Sequence, residues 1–312
     1  MSFETIKAKY IWRDGEFIRW EDANVHLLST AVQFGTSMFE GIRCYDTPQG
    51  PCVFRLDTHI TRLIHSCKIY RMEPSYSEQD LIEACLATVE KNELKDCYIR
   101  PMVLRGYGAS GMDPKDSPID TYIATWQWGA YLGEKSLVDG VDVCVSAWSR
   151  PAPNTFPVQA KAAGHYTNAQ LIKMEAIANG YVEGLVLSPD GRLSEGGGQN
   201  VFLVRDGTIF TPQLDGTLLR GITRDAIMTL ATDMNFEVED RPIPREDLYT
   251  ADEVFFTGTA TEVTPVRSVD RITINEGRPG PVTLAIQKRF LAIVKGQEED
   301  LHGWLTPVIR RS

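Results

Sequence analysis

Long apolar runs are missing from this chain. None approaches the roughly 18–20 residues that a membrane-spanning helix needs, so no helical anchor is expected. Positive charge is in deficit: 32 Lys and Arg stand against 42 Asp and Glu, a net charge of −10. No basic stripe is visible that would bind the phosphates of nucleic acid, and the acidic surplus serves solubility. Cys44, Cys52, Cys67, Cys85, Cys97 and Cys144 are irregularly spaced and contain no C-x-x-C, which excludes a zinc framework and a dense disulfide scaffold. Apolar settings such as "VDVCVSAW" around Cys144 read as small buried thiols. The five histidines form neither H-x-x-x-H nor H-E-x-x-H, so no catalytic metal is expected. The opening "MSFETIKAKYIWRDGEF" lacks the apolar core of a signal peptide, and a cytoplasmic location is expected.

What is present is an ordinary globular composition over 312 residues, enough for two α+β domains. In the first part "GPCVFRL" reads as a strand, followed by a helix capped by Asp57 with Ile60, Leu63, Ile64 and Cys67 on one face. A second helix opens at "SYSE", where Ser75 and Glu78 fit a capping box. "CYIRPMVLRGYG" alternates as a strand does, with Pro101 pointing to an edge position or a bulge. "QWGAYLGEKSLV" reads as a linker. Beyond it lie short strands with hairpin turns at Asp190-Gly191 and Asp206-Gly207, and helices after Tyr166, after Thr223 and from Pro281. The division expected is residues 1–125, a small domain; 126–137, a linker; and 138–312, a larger domain.

Several stretches can carry chemistry. In "VQAKAAGHYTN", Lys161 sits among small uncharged residues, with Tyr166 five positions on. Such surroundings favour a neutral, nucleophilic amine and admit a planar ring; an ordinary loop lysine with small neighbours gives the same letters. Glu195 precedes three glycines in "RLSEGGGQNVF". It reads either as a carboxylate for a protonated ring nitrogen or as an exposed glutamate on a flexible turn. The run lacks the G-x-x-x-x-G-K-[ST] of a phosphate loop. Gly221, Ile222 and Thr223 enter a helix whose first N–H groups can bind an anion, as those of any capped helix can. "FFTGTATEVTPV" places hydroxyls at Thr257, Thr259 and Thr261, either donors or β-prone strand-end residues. Tyr98 and Arg100, two apart on a strand, share a face that suits a carboxylate, or pair with surface acids. Arg62 lies off its helix's apolar face, solvated or phosphate-binding. Together these parts match what pyridoxal phosphate needs from a protein.

The ordered motifs "FGTSMFEGIRCY", "FRLDTHITRL", "YIRP", "WGAYLG", "RPAPNTFPVQAKAAGHY", "EGLVLSPDGRLSEGGGQNVF", "GITRDAI", "LYTADEVFFTGTATEVTPVRSVD" and "EGRPGPVT" span nearly the whole chain. In them it closely resembles the class IV, fold-type IV pyridoxal-phosphate aminotransferases, in particular the branched-chain amino acid aminotransferases. The resemblance implies an α+β fold: a small α/β N-terminal domain, a larger domain with a β-barrel-like core, and a site between them. It further implies a homodimer or a dimer-based higher oligomer. Lys161 matches the lysine that binds the cofactor as a Schiff base and moves the proton. Glu195 matches the partner of the pyridine nitrogen, and Tyr166 that of the phenolic oxygen. Arg62, Ile222, Thr223 and Thr259 match the phosphate site. Tyr98, with the N–H groups of Thr259 and Ala260, matches the cradle of the substrate α-carboxylate. Arg100 resembles the residue that receives the side-chain carboxylate of glutamate, and Phe39 and Tyr131 match pocket walls. The activity implied is ping-pong transamination between L-leucine, L-isoleucine or L-valine and 2-oxoglutarate.

Three positions depart from the family pattern: Phe34 where many relatives have tyrosine; Tyr107, Ser110 and Met112 in the loop "RGYGASGMDP", which bears on the preferred side chain; and His165 where asparagine is common. The rival readings on the same fold are a D-amino acid or (R)-amine transaminase, which usually alter the stretch holding Arg100, and aminodeoxychorismate lyase, whose aromatic substrate suits an aliphatic pocket poorly. A non-enzymatic binder on the scaffold is the remaining alternative.

Overall fold

The computed structural model describes residues 7–108, 111–129 and 132–308. Tyr131 and Ser110, both singled out above, lie outside them. The chain forms two compact units, one comprising residues up to Trp128, Ala160–Gly164 and those from Ile293 on, the other Gly129–Gln159 and His165–Ala292.

The first unit runs β1 (Tyr10–Arg13), β2 (Glu16–Arg19), α1 (Thr30–Phe34), β3 (Ser37–Phe39), β4 (Ile42–Thr47), β5 (Gly50–Phe54), α2 (Leu56–Ile69), α3 (Glu78–Lys91), β6 (Cys97–Arg105) and β7 (Ile119–Gln127). Its antiparallel sheet has the order β5-β4-β6-β7-β1-β2, with β3 also on β6, and the chain's last strand, Leu305–Pro307, joins the outer edge of β5. That pairing is why the C-terminal residues belong to this unit and not, as expected, to the larger domain. Ile60, Leu63 and Cys67 of α2 and Leu81, Cys85 and Val89 of α3 bury one stripe each against Ile42, Val53, Ile99 and Val103 of the sheet. Each buried Ile, Leu or Val contributes roughly 1.5–3 kcal/mol of transfer free energy. The caps differ from expectation. Helix α2 starts after Arg55, in left-handed conformation (φ 51°), with Asp57 inside the first turn. The capping box of α3 is Ser77 with Asp80, two residues later than read.

Pro101 sits in the middle of the sheet, not at its edge. The strand on one side of β6 is broken there: β3 ends at Phe39 and β4 begins at Ile42. The Pro101 carbonyl accepts the N–H of Glu40 (2.9 Å), so its ring nitrogen faces the break, where no ladder bond is lost. Trp126 and Gln127, expected in a linker, complete β7 and pair with Tyr98 and Cys97.

The second unit contains α4 (Glu134–Asp139), β8 (Val141–Val145), α5 (Tyr166–Ala178), β9 (Glu183–Leu187), β10 (Leu193–Gly196), β11 (Asn200–Arg205), β12 (Thr208–Pro212), α6 (Ile222–Asp233), β13 (Val238–Arg241), α7 (Asp247–Thr250), β14 (Glu253–Gly258), β15 (Glu262–Val269), β16 (Ile272–Thr273) and α8, Pro281–Val294, whose end passes into the first unit. The sheet order is β10-β9-β8-β15-β14-β11-β12-β13, with β16 on β15. Pairs β8–β9, β8–β15 and β12–β13 are parallel. The sheet curls into a half barrel, and Val141, Val143, Leu185, Val201, Val254, Phe256 and Val266 form its core. Asp206-Gly207 makes the tight β11–β12 turn with both residues at positive φ, as its sequence predicts. All six cysteines are buried free thiols. Among the described residues no helix is long and apolar enough to cross a membrane.

Helix α8 begins on a buried carboxylate. Glu253 accepts the N–H groups of Val282 (3.0 Å) and Thr283 (2.7 Å) and the Thr283 hydroxyl (2.6 Å). Its carboxylate offsets the dipole of that terminus. Glu253→Ala strands two buried donors, and should lower unfolding stability by about 2–4 kcal/mol in urea titrations at unchanged m-value.

Candidate active site

Lys161 is positioned by backbone pairing. Its carbonyl accepts the N–H of Phe39 (3.0 Å) and Ala162 bridges Met38, while the Ala162 N–H closes a tight turn onto the Ala160 carbonyl (2.9 Å), so Lys161 sits at the bend of a short segment pinned to β3. Its own N–H donates to Ser66 Oγ (3.0 Å), and that hydroxyl donates to the Arg62 carbonyl (2.8 Å). Ser66, fully buried on α2, thus ties the backbone of Lys161 to that of Arg62. The half-buried Lys161 side chain places Nζ 5.2 Å from the centre of the Phe39 ring.

Arg62 turns its guanidinium onto Glu40: Nε meets Oε1 at 2.6 Å and Nη2 meets Oε2 at 2.8 Å. His59 Nδ1 lies 2.7 Å from Oε2. Burial opposes a charge on Glu40, but the Arg62 fork and the His59 hydrogen bond outweigh it and hold the carboxyl well below the usual range. Burial pushes the His59 imidazole down, against the pull of Glu40, which leaves it neutral with its proton on Nδ1.

Phe39, Tyr98 and Trp126 surround Arg100, with its guanidinium carbon 4.6, 5.3 and 5.7 Å from the three ring centres. Trp128 adds a fourth ring, 4.7 Å from Tyr98. The hydrogen bond Arg100 makes within the described chain is to Tyr98 Oη (3.5 Å), its Nε is buried without a partner, and no carboxylate among the described residues pairs with it. Cation–π contact with the rings holds such a cation without neutralising it. Gly41 is obligatory here, because a Cβ on it would lie 1.8 Å from Tyr98 Oη.

The second unit carries the remaining candidates. Glu195 is buried at the end of β10, not exposed on a mobile turn. Its Oε1 lies 3.0 Å from Arg150 Nε, and its Oε2 accepts Asn200 Nδ2 and the Leu219 N–H, both at 3.3 Å. Arg150 also donates to the carbonyls of Gly196 and Gly197 (2.8 Å each) and to Asn168 Oδ1 (2.9 Å). Gln199 closes the glycine run, accepting the Gly198 N–H (2.8 Å) and donating to Glu183 (3.0 Å). The run is rigid. Asn168 lies on α5 two residues after Tyr166, so Arg150 ties the half-buried Tyr166's first turn to Glu195. Helix α6 starts at Ile222 and Thr223 after Gly221, with no side-chain cap. Gly221 must be glycine, because a Cβ there would meet Asn200 Oδ1 at 1.8 Å. Thr259 and Ala260 form the half-buried turn between β14 and β15, flanked by the hydroxyls of Thr257 and Thr261, both buried without partners.

The structure therefore brings Lys161, Phe39, Tyr98, Arg100 and Arg62 into one neighbourhood of the first unit. It sets Glu195 beside the entry to Ile222 and Thr223 in the second. Glu40, His59, Ser66, Trp126, Trp128, Arg150 and Asn200 contact these candidates, and sequence reading does not single them out. For the tryptophans the alternation in "YIATWQW" is a usable signal; the others act through long-range partners that no local pattern reports.

Residues 37–269 match the model of the amino-transferase class IV family. The branched-chain-amino-acid aminotransferase of Salmonella typhimurium is 51% identical over 97% of this chain and 99% of its own length. The crystal structure of the Escherichia coli branched-chain amino acid aminotransferase superposes with a TM-score of 0.95 at 50% identity, covering 97% of this chain and all of that one. The branched-chain amino acid aminotransferase from Thermobaculum terrenum, solved in its PLP-bound holo form, gives 0.90 at 34% identity, over 97% and 99% of the two chains. On fold, length and sequence alike, the chain is an enzyme of the class IV aminotransferase family and, within it, of the branched-chain-amino-acid aminotransferases.

Proposed function

We propose that the protein transfers the amino group of L-leucine, L-isoleucine or L-valine to 2-oxoglutarate, with pyridoxal 5′-phosphate as cofactor. The observation that carries this reading is Arg100. A cation without a carboxylate partner among the described residues stands in a wall of aromatic rings beside Lys161. The rings suit an aliphatic side chain, and the guanidinium suits the distal carboxylate of glutamate, so one pocket takes both substrates.

The residues fit an anionic, planar cofactor. An uncapped helix start at Ile222 and Thr223 offers N–H groups to a phosphate, with Arg62 and the Thr259 hydroxyl as further donors. The buried, unpartnered hydroxyls beside Thr259 mark a polar pocket whose donors await an acceptor. Glu195, paired with Arg150, supplies the ionised acid that keeps a pyridine nitrogen protonated. When bound, the cofactor supplies an aldehyde and an electron-withdrawing ring that acidifies the substrate Cα–H. Lys161 Nζ would hold the aldehyde carbon of the bound group, and as general base and acid it would carry the substrate Cα proton. Tyr166 holds the ring oxygen. Tyr98 and the N–H groups of Thr259 and Ala260 orient the α-carboxylate, and Phe39 walls the side-chain pocket with Trp126 and Trp128. The exposed apolar residues Leu27, Leu28, Val32 and Phe34 suit a face covered by a second copy in a homodimer.

The direct test is a half-reaction. The holoenzyme is mixed with L-leucine, D-alanine or (R)-1-phenylethylamine without keto acid, and loss of the cofactor's visible absorbance is followed. Fast loss with L-leucine is the expected outcome; fast loss with D-alanine or the amine, and little with L-leucine, sinks the branched-chain reading. Lys161→Ala should lower turnover by about 10²–10⁴-fold or more with unchanged circular dichroism. Arg100→Met should separate the two substrates: kcat/KM for 2-oxoglutarate falls about 10- to 100-fold, while the leucine half-reaction changes less than about 3-fold.

A further inference from the structure

Glu40 is a fully buried carboxylate that the transfer itself does not require. It lies in the break between β3 and β4, and four donors converge on it. Arg62 Nε meets Oε1 at 2.6 Å; Arg62 Nη2 (2.8 Å), His59 Nδ1 (2.7 Å) and the Gly41 N–H (3.3 Å) meet Oε2. Burying an ion pair is a poor source of stability, since desolvation offsets the attraction and apolar side chains of like volume serve as well. What this pair supplies is direction. Nε and Nη2 lie along one side of the planar guanidinium, and with both on Glu40 the group cannot turn. Any further oxyanion taken by Arg62 is then met by its end edge, Nη1 and the second Nη2 proton. His59 fixes the carboxylate in turn. An ionised Glu40 only accepts hydrogen bonds, so the His59 proton is on Nδ1, and Nε2 is left a buried acceptor without a partner. With His59 neutral, no third charge competes for the guanidinium.

We propose that Glu40 is a positioning residue for Arg62, with His59 holding its carboxylate, and that the pair sets the guanidinium edge offered to the cofactor's phosphate group. This rests on the reading of Arg62 as a phosphate ligand.

The test compares apoenzyme titrated with pyridoxal 5′-phosphate and, separately, with pyridoxal, which shares ring and aldehyde but has no phosphate. Glu40→Gln keeps the volume and removes the anion. Affinity for the phosphate ester should fall about 10- to 100-fold, and that for pyridoxal by less than about 3-fold. Arg62→Met should lower the same ratio, and Glu40→Gln should add nothing in that background. An equal loss for both ligands in Glu40→Gln, or a further loss on top of Arg62→Met, overturns the proposal, because Glu40 would then act on the fold at large. An unchanged ratio in Arg62→Met overturns instead the reading of Arg62, and the proposal with it. Should Glu40→Gln fail to fold, His59 gives a second route. His59→Leu should repeat the selective loss, and His59→Asn, whose amide nitrogen reaches the place of Nδ1, should restore affinity; identical behaviour of the two counts against the proposal.

Discussion

A short backbone contact governs where the chemistry of the first unit can occur. The hydrogen bond from Phe39 N–H to the Lys161 carbonyl and the bridge between Met38 and Ala162 hold the lysine segment against β3. A reactive side chain is only as well placed as the main chain it leaves from, and loops rarely supply that precision. Here a connecting segment is pinned to a strand by one hydrogen bond and one bridge, and its own tight turn, Ala162 N–H onto the Ala160 carbonyl, presents the lysine at the bend. Ser66 completes the fixation from the helix behind, so the lysine and the arginine one turn earlier on α2 share one hydroxyl as a common reference.

The same economy runs through the break between β3 and β4. Pro101 cannot donate to a neighbouring strand, and the neighbour is interrupted where that donor would be needed. The interruption frees Glu40 to turn inward and brings Gly41 against Tyr98. One residue's missing N–H is thus coupled to the orientation of an arginine and the seat of a phenol. In the second unit Arg150 has a comparable part, binding a carboxylate, two glycine carbonyls and an asparagine at once, so that a glycine run built for close approach does not become a floppy one.

Much of this is legible in the letters, and unevenly so. The helix from Pro281, the turn at Asp206-Gly207 and the buried thiols follow from local rules, and the structure agrees with them. The motifs name the family, and the relatives agree. The departures have a common physical origin. The propensity of Pro101 alone points to an edge or a bulge, whereas its place depends on a break in another strand. On its own letters Glu195 reads sooner as an exposed turn residue, because two of its partners, Arg150 and Leu219, are 45 and 24 positions away. The C-terminal strand leaves the larger domain because three residues of pairing with β5, invisible in composition, decide its allegiance. Cap positions slip by two residues where several Ser and Asp compete for one helix start.

Gly41 and Tyr98 are 57 positions apart in sequence, yet a single atom at one would overlap the hydroxyl of the other. Neither can drift alone. A lineage that acquires any side chain at position 41 must give up the phenol at 98, and a lineage that shortens residue 98 leaves a hole that position 41 is then free to fill. The two sites inherit change as a pair, and a shift in substrate preference passing through this corner would have to cross both substitutions together.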